Sequence, residues 1–410
     1  MGLQPKASGG SPVSGEVIRR HTYGETRGSC TSIIGIASLS SPAGDSDHIR
    51  VVRAGEKPVA MNLDGYAALL TDLDLDTHQE LGRASTQLPT IHKAHQVEHI
   101  NEGDILRLDF KKGFVRSLYR VGSPHNSIFA TDRCNSNCLM CSQPPKDIDD
   151  SEMVADHLRL VSLIPPTTQT LGISGGEPTL LGTDLFRVIA ACKEHLPVTR
   201  LHMLSNGRRF ADREYAAGLA QVSHPDFMVG VPLYSDVASH HDFVVQAHEA
   251  FDQTMVGFHN LARYGVRIEV RVVVHKQTYE RLPKLAEFIY RNLPFVEHIA
   301  FMGLEMMGYT KTNLKTLWID PVDYQDALEQ AVSGLDLRGM NVSIYNHQLC
   351  LLRRPLWRFA RKSISDFKNI YLETCQECAV LDECGGLFKS GEQIHSQHIH
   401  ALSAADLAKP

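Results

Sequence analysis

The rhythm of hydrophobic positions changes twice along the chain. Residues 101–120 (NEGDILRLDFKKGFVRSLYR) alternate apolar and polar side chains on either side of Lys111-Lys112-Gly113. A period of two around a glycine-containing turn predicts a β-hairpin. From Ser127 onward, short apolar runs alternate with longer amphipathic stretches. The runs lie at 127–131, 170–174, 200–205, 227–234, 266–274 and 298–303. Helical periodicity fills the intervals near 151–163, 183–195, 211–221, 244–264 and 281–292. Such alternation, repeated about six times, predicts parallel βα units in an open doubly wound sheet or a partial barrel. Past about residue 318 the alternation stops. There Asp320-Pro321 predicts a helix start, with the aspartate as cap and the proline in the first turn. The expected organisation is a β-rich unit over 1–122, an α/β unit over 123–318 and a separate module over 319–410. Gly9, Gly10, Ser11, Ser14 and Gly15 predict a loose beginning.

Composition narrows the class. Hydrophobic residues make up 43% and charged residues 21% of 410 positions, as in a globular chain. The net charge of −6 and pI of about 6.4 argue against a bulk nucleic-acid binder. No apolar run reaches the roughly 18 residues of a membrane span. The first residues lack the apolar core of a signal peptide, and Lys6 breaks the myristoylation pattern. A cytoplasmic protein is expected. Nine cysteines are then unusual, because cytosolic chains rarely use disulfides. Six of them fall in two tight groups, which points to metal or catalytic chemistry.

The first group is Cys134-x3-Cys138-x2-Cys141, just past the first apolar run. Three thiolates on one loop can hold three irons of a [4Fe–4S] cube and leave the fourth open. An open position is what lets a metal site bind and activate a ligand. A structural zinc loop is the alternative, but no fourth Cys or His follows closely; His157 is the next. The second run ends in Ser174-Gly175-Gly176-Glu177-Pro178. The glycines let backbone approach a ligand closely, and a carboxylate there can accept hydrogen bonds from an amine. A plain tight turn is the competing reading. Ser205-Asn206-Gly207, Tyr234-Ser235-Asp236, His275 and residues 303–305 follow the later runs, at the strand ends where (β/α) barrels keep their sites.

The second group is Cys375-x2-Cys378-x5-Cys384, followed by Gly385-Gly386, with Cys350 upstream. It suits a zinc ribbon or an iron–sulfur site. Cys350 is the expected fourth ligand, with His395, His398 or His400 as substitutes. The histidine-rich stretch 394–400 otherwise reads as a solvated polar tail. Residues 353–368 carry Arg353, Arg354, Arg358, Arg361, Lys362 and Lys368 among aromatics, which fits the basic face of an amphipathic helix or a dock for an acidic leader peptide. Cys192 reads as buried core, and Cys30 as an ordinary thiol.

The cysteine loop and the Gly-Gly-Glu-Pro turn, in this order, resemble the radical S-adenosylmethionine (SAM) superfamily over roughly residues 125–305. The resemblance implies a partial (β/α)6 barrel with a small β-rich N-terminal domain and a C-terminal iron–sulfur module. It implies a [4Fe–4S] cluster on Cys134, Cys138 and Cys141 with SAM on its open iron, and one-electron cleavage to a 5′-deoxyadenosyl radical. Gly175, Gly176 and Glu177 are implied to hold the SAM amine. Ser205, Asn206, Ser235 and Arg271 are the further cofactor-binding candidates, and Met140 sits beside adenine. His241-Asp242 with residues 251–254 resembles a stretch of peptide-modifying members. Phe243, Val244 and Val245 stand where those members carry an arginine, which is why Arg271 is a carboxylate candidate. The C-terminal cysteines resemble the SPASM or twitch module and imply a second, auxiliary [4Fe–4S] cluster on Cys350, Cys375, Cys378 and Cys384. The strings at 135–145, 301–305, 345–350 and 363–369 are similar to the HxsC-type maturase of His-Xaa-Ser peptide systems. That likeness implies a precursor-peptide substrate, a companion radical maturase and a low-potential donor such as ferredoxin or flavodoxin, with no nucleic-acid or membrane partner. A sulfatase-maturase-like oxidation of one residue, or a non-catalytic iron–sulfur or zinc scaffold, are the competing readings.

Overall fold

A computed structural model describes residues 21–28, 30–39, 46–55, 63–362 and 370–407. The expected loose start at 9–15 and the string at 363–369 lie outside the described residues. No helix among those residues is long and apolar enough to cross a membrane.

Eight strands build a mixed N-terminal sheet: β1 (His21–Tyr23), β2 (Glu25–Arg27), β3 (Ser32–Ser38), β4 (His48–Val52), β5 (Ala68–Thr71), β6 (Thr90–His92), β7 (Ile105–Asp109) and β8 (Phe114–Tyr119). A short helix, α1 (Gln79–Ala84), precedes β6. The spatial order is β1-β8-β7-β3-β4-β5-β6-β2. β7 and β8 form the expected hairpin, with Asp109 opposite Phe114. Its turn is held by the Lys111 and Lys112 amides, which donate to Asp109 Oδ1 at 3.0 and 3.2 Å. The two outermost strands are one stretch of chain interrupted by Gly24. The Gly24 amide donates to Gly113 O at 2.9 Å, and a Cβ on Gly24 would lie 2.5 Å from His92 O. The same short ribbon therefore closes both ends of the sheet.

The second sheet holds β9 (Asn126–Phe129), β10 (Thr170–Ser174), β11 (Arg200–Leu204), β12 (Phe227–Pro232), β13 (Arg267–Val274), β14 (His298–Gly303), β15 (Val342–Tyr345) and β16 (Ala360–Arg361). Every neighbouring pair is parallel, and the spatial order is the sequence order. Right-handed crossovers then put all helices on one face. A doubly wound sheet would need a reversal of strand order. The sheet is therefore of the barrel type, with helices outside. These are α2 (Met153–Leu163), α3 (Asp184–His195), α4 (Arg213–Val222), α5 (Ala238–Val245), α6 (Ala250–Arg263) and α7 (Leu282–Asn292). Two short turns, α8 (Tyr309–Thr312) and α9 (Leu314–Leu317), precede α10 (Gln325–Asp336). On β13, Ile268, Val270, Val272 and Val274 are buried toward the helices. Glu269, Arg271 and Val273 alternate onto the inner face.

The alternation does not end near 318. Asp320 caps the turn Pro321–Tyr324 as expected, accepting from Val322 N at 3.1 Å, and the chain runs on into α10. Leu328, Ala331, Val332 and Leu335 of α10 are buried, and β15 and β16 extend the sheet past the expected six strands to eight. These strands are four and two residues long. Ile34, Ile105 and Tyr119 of the first sheet share the barrel's apolar cluster. Arg107 to Asp156 at 2.7 Å and Tyr119 Oη to Thr168 at 2.9 Å tie the two sheets together.

Candidate active site

The cysteine loop leaves the end of β9 and is pinned on every side. Asp150, almost fully buried, accepts from Thr131 Oγ1 at 2.5 Å, Asp132 N at 2.9 Å and Arg133 Nε at 2.8 Å, closing the loop on itself. The Asn137 and Leu139 amides donate to Val245 O and Val244 O at the end of α5, at 3.0 and 2.9 Å. From the far side, Asn313 Nδ2 donates to Leu139 O at 2.9 Å and the Tyr309 amide to Cys141 O at 2.9 Å. Cys138 and Met140 pack in an apolar cluster with Tyr234, Val244, Leu304 and Leu317. Burial pushes the Cys134 thiol up to about 11 and Cys138 up to about 12, and the neighbouring thiols push both the same way. Cys141 is raised by burial too, with its Sγ 3.0 Å from Gln143 O. Thiols this desolvated become good ligands only when a bound metal displaces their protons.

Gly175 and Gly176 bring the next turn against that loop, backbone to backbone. The Gly176 and Glu177 amides donate to Thr131 O and Arg133 O at 2.7 and 2.8 Å. A Cβ on Gly176 would stand 2.0 Å from Arg133 O, and Gly175 has φ +149°. What the glycines accommodate here is the cysteine loop itself.

Glu177 is 1% exposed and already fully engaged. Oε1 accepts from Thr179 N at 3.1 Å, Thr179 Oγ1 at 2.7 Å and Ser205 Oγ at 2.8 Å. Oε2 accepts from Asn206 N at 2.6 Å. Burial raises its pKa, and these four bonds oppose the rise. In this structure the carboxylate bolts the β10 turn to the β11 turn. Ser205 serves the same bolt. Asn206 goes further, with Nδ2 donating to Asn135 Oδ1 at 2.6 Å inside the cysteine loop. Arg208, which sequence reasoning missed, donates to Asn135 O and, at 3.2 Å, to Ser136 Oγ. Its Nε donates to Gln253 on α6 at 2.7 Å. The only sequence signal for it was its place two residues past Asn206.

The later strand ends behave differently. Ser235 is buried, and its Oγ accepts from Val237 N at 3.1 Å, so it shapes a turn. Asp236 is held bidentately by Arg281 at 2.7 and 2.6 Å. His241 Nδ1 accepts from Tyr234 N at 3.3 Å and Asp242 from Phe251 N at 2.8 Å, so the His-Asp pair braces α5 against α6. Arg271 stands on the inner face of β13 with Nη1 donating to Glu269 at 2.6 Å. Burial drives the Glu269 carboxyl up, but His202, His298 and Arg271 outweigh it and hold the group far below the usual carboxylate range. Gly230 opposite leaves room for this network, since a Cβ there would lie 2.9 Å from Arg271 Cδ. His275 is fully buried, with burial alone lowering its pKa to about 3.

The C-terminal cysteines converge. Cys350, Cys375, Cys378 and Cys384 all border one cavity, with Leu349 and Leu381 among its apolar walls. Burial pushes Cys350 up to about 11, and the other three thiols raise it further. Backbone amides already aim at the sulfurs: Leu349 N lies 3.5 Å from Cys384 Sγ and Leu402 N 3.4 Å from Cys378 Sγ. Among the described residues, no three Cys, His, Asp or Glu side chains are drawn tightly enough together to hold a single metal ion. In the histidine-rich stretch Gln397, His398 and His400 are exposed, as expected of a solvated segment, but the stretch is anchored to the body of the protein. Ser396, Ile399 and Leu402 are buried, and His400 lines the four-cysteine cavity. The basic run is not an amphipathic α-helix. Arg354–Phe359 is a 3₁₀ helix, Arg353 and Arg358 pair with Glu329 and Asp336, and Arg354 lies 4.0 Å over Trp357. Cys192 is buried in α3, as expected.

Three elements now stand together: a sequentially ordered parallel sheet, a three-cysteine loop at its first strand end, and a glycine turn pressed on that loop. Residues 128–289 match the radical SAM superfamily, so the chain carries a radical SAM superfamily domain, which is an enzyme domain. Domains of this superfamily bind a [4Fe–4S] cluster and SAM. A probable GTP 3′,8-cyclase of Sulfolobus acidocaldarius is 24% identical over 219 residues, 52% of this chain and 66% of that protein. SuiB of Streptococcus suis, solved with the precursor peptide SuiA, is 16% identical with a TM-score of 0.42, covering 54% of this chain and 48% of that one. The enzyme anSMEcpe with bound AdoMet is 19% identical with a TM-score of 0.42, covering 53% and 62%. The chain thus spans less than two thirds of each of these proteins.

Proposed function

We propose that this protein is a radical SAM maturase that modifies a ribosomally made peptide, by oxidation or crosslinking. The observation that carries the reading is the latch around the first cysteine loop. Three thiols share one loop, and the Gly-Gly turn and the Asn206–Arg208 turn both grip it from the barrel mouth. When bound, a [4Fe–4S] cluster with SAM supplies one-electron cleavage of the sulfonium to a 5′-deoxyadenosyl radical. The chain's own part is placement and exclusion of water. Cys134, Cys138 and Cys141 would hold the cluster and leave one iron without a protein ligand. The turn at Gly175 and Gly176 would offer the SAM amine its backbone carbonyls, since no donor reaches them among the described residues. Arg271, with Nη1 on Glu269, keeps other guanidinium donors for the SAM carboxylate. Met140, Tyr234 and Leu317 wall off the space beside Cys138, where a dry, low-dielectric surround protects a radical.

Cys350, Cys375, Cys378 and Cys384 would hold an auxiliary [4Fe–4S] cluster. The likeness to HxsC-type maturases makes a His-Xaa-Ser precursor the substrate we favour. Ferredoxin or flavodoxin would supply electrons, and a companion maturase would act alongside. Anaerobic reconstitution with SAM and dithionite tests the reading. We expect 5′-deoxyadenosine and about eight irons per chain, as two cubes require. No 5′-deoxyadenosine, or about four irons with zinc, would overturn the enzyme reading or the second cluster respectively. Cys375→Ala with Cys378→Ala should keep part of the cleavage and stop product formation.

A further inference from the structure

A second cavity, open to solvent, lies between the barrel's strand ends and the C-terminal segment. Val274 and Gly303, the last residues of β13 and β14, form its floor. Leu304 and Leu317 form one wall, and both belong to the apolar cluster that holds Cys138 and Met140. Gln348 and Leu387 form the opposite wall, and both also line the four-cysteine cavity. Anything seated here is therefore one side-chain layer from each cysteine site.

His395 looks into this cavity with a fixed tautomer. Its Nδ1 sits 2.9 Å from Gly391 O. A carbonyl only accepts, so Nδ1 carries the proton and Nε2 of the neutral ring is left as an acceptor. No donor from the described residues reaches that Nε2. Ser396 beside it is turned away, with Oγ donating to Asp320 at 2.8 Å. The remaining surroundings are mixed: Trp318, Ile319 and Phe388 are apolar, and the side-chain amides of Asn346 and Gln348 also line the cavity. Asn346 and Gln348 already donate their NH₂ groups to Gly303 O and Gly386 O, so their amide oxygens join His395 Nε2 as acceptors, and such a lining favours a side chain that carries a donor.

We propose that this cavity seats the peptide residue to be modified, and that His395 Nε2 selects a residue bearing a hydroxyl or N–H group. The identity of the ligand as a peptide rests on the maturase reading. The histidine-rich stretch thereby gains a role in recognition.

Trp318 lines the cavity and provides the readout. The probes are two capped peptides of the same length, one of His-Gly-Ser repeats and one of Ala-Gly-Ala repeats. They are titrated against the full reconstituted chain under anaerobic conditions, with Trp318→Phe as the control that must abolish the signal. We expect the His-Gly-Ser peptide to bind about five- to tenfold tighter, the worth of one buried hydrogen bond. His395→Phe should erase that preference, and His395→Asn, which keeps an acceptor, should retain part of it. No Trp318 response to either peptide, or a preference that survives His395→Phe, would overturn the proposal. 5′-Deoxyadenosine is measured in the same samples. Its absence alongside His395-dependent binding removes the radical reading and leaves the pocket. Its presence without a Trp318 response does the reverse.

Discussion

Replacing Glu177 by glutamine separates a structural bolt from a ligand contact. The carboxylate collects four donors, three on Oε1 and one on Oε2. An amide has one oxygen. Its better orientation keeps oxygen at the Oε1 position and turns the NH₂ toward Asn206 N, now donor against donor at the former 2.6 Å. The flipped orientation loses three bonds, so the first prevails. One charge-assisted bond is lost and one buried amide is orphaned, which costs about 2–3 kcal/mol. Urea unfolding of the metal-free protein should show that loss as a lower midpoint at unchanged slope. Hydrogen exchange at the Asn206 amide should accelerate accordingly. If Glu177→Gln leaves both measurements unchanged yet abolishes SAM binding, the carboxylate faces the cofactor and the bolt is wrong.

Other perturbations probe neighbouring parts of the latch. Gly176→Ala drives a Cβ to 2.0 Å from Arg133 O, so the turn must back away from the cysteine loop, and iron bound by Cys134, Cys138 and Cys141 should fall well below wild type while the C-terminal site keeps its own. Arg208→Gln removes the grip on Asn135 and Ser136, and iron release to a chelator should speed up roughly fivefold, about the worth of one hydrogen bond; an unchanged rate would show that Asn206 suffices. Burial lowers the pKa of His241 to about 4, His275 to about 3 and His347 to about 4. The unfolded chain takes up those protons near pH 6.5 while the folded chain does not, so acidification below 6.5 favours unfolding by up to about 1.4 kcal/mol per pH unit for each histidine. Urea midpoints at pH 7, 6 and 5 should fall in that order, and His347→Gln should flatten the fall.

Much of the site was legible because its chemistry is local. Cys134, Cys138 and Cys141 needed only their spacing, and the hairpin at 105–119 only its period of two. The βα rhythm was legible through β14; after it two short helical turns intervene before α10, and β16 is only two residues long, so the regular spacing of runs is lost there. Glu177 was readable as a residue that matters, but its partners Ser205 and Asn206 lie a whole βα unit away, and no pattern says which way a carboxylate turns. Arg208 and Asp150 act through contacts that only folding creates. The histidines near the end looked solvated because histidine is polar. His398 and His400 are indeed exposed, but Ser396, Ile399 and Leu402 around them are buried and anchor the segment.

The short ribbon at residues 21–27 has a consequence for how this protein keeps to itself. An open sheet offers two rows of unsatisfied amides and carbonyls on which another chain can crystallise its own strand. Here one half of the ribbon covers β8 and the other half covers β6. The β1 half is engaged on its other side as well, where the His95 amide donates to Tyr23 O at 3.2 Å and Thr22 Oγ1 donates to His95 O. Both covers hang from a single hinge at Gly24, so whatever peels one loosens the other. Protection against self-association in the N-terminal sheet is thus all-or-none, and it rests on one glycine.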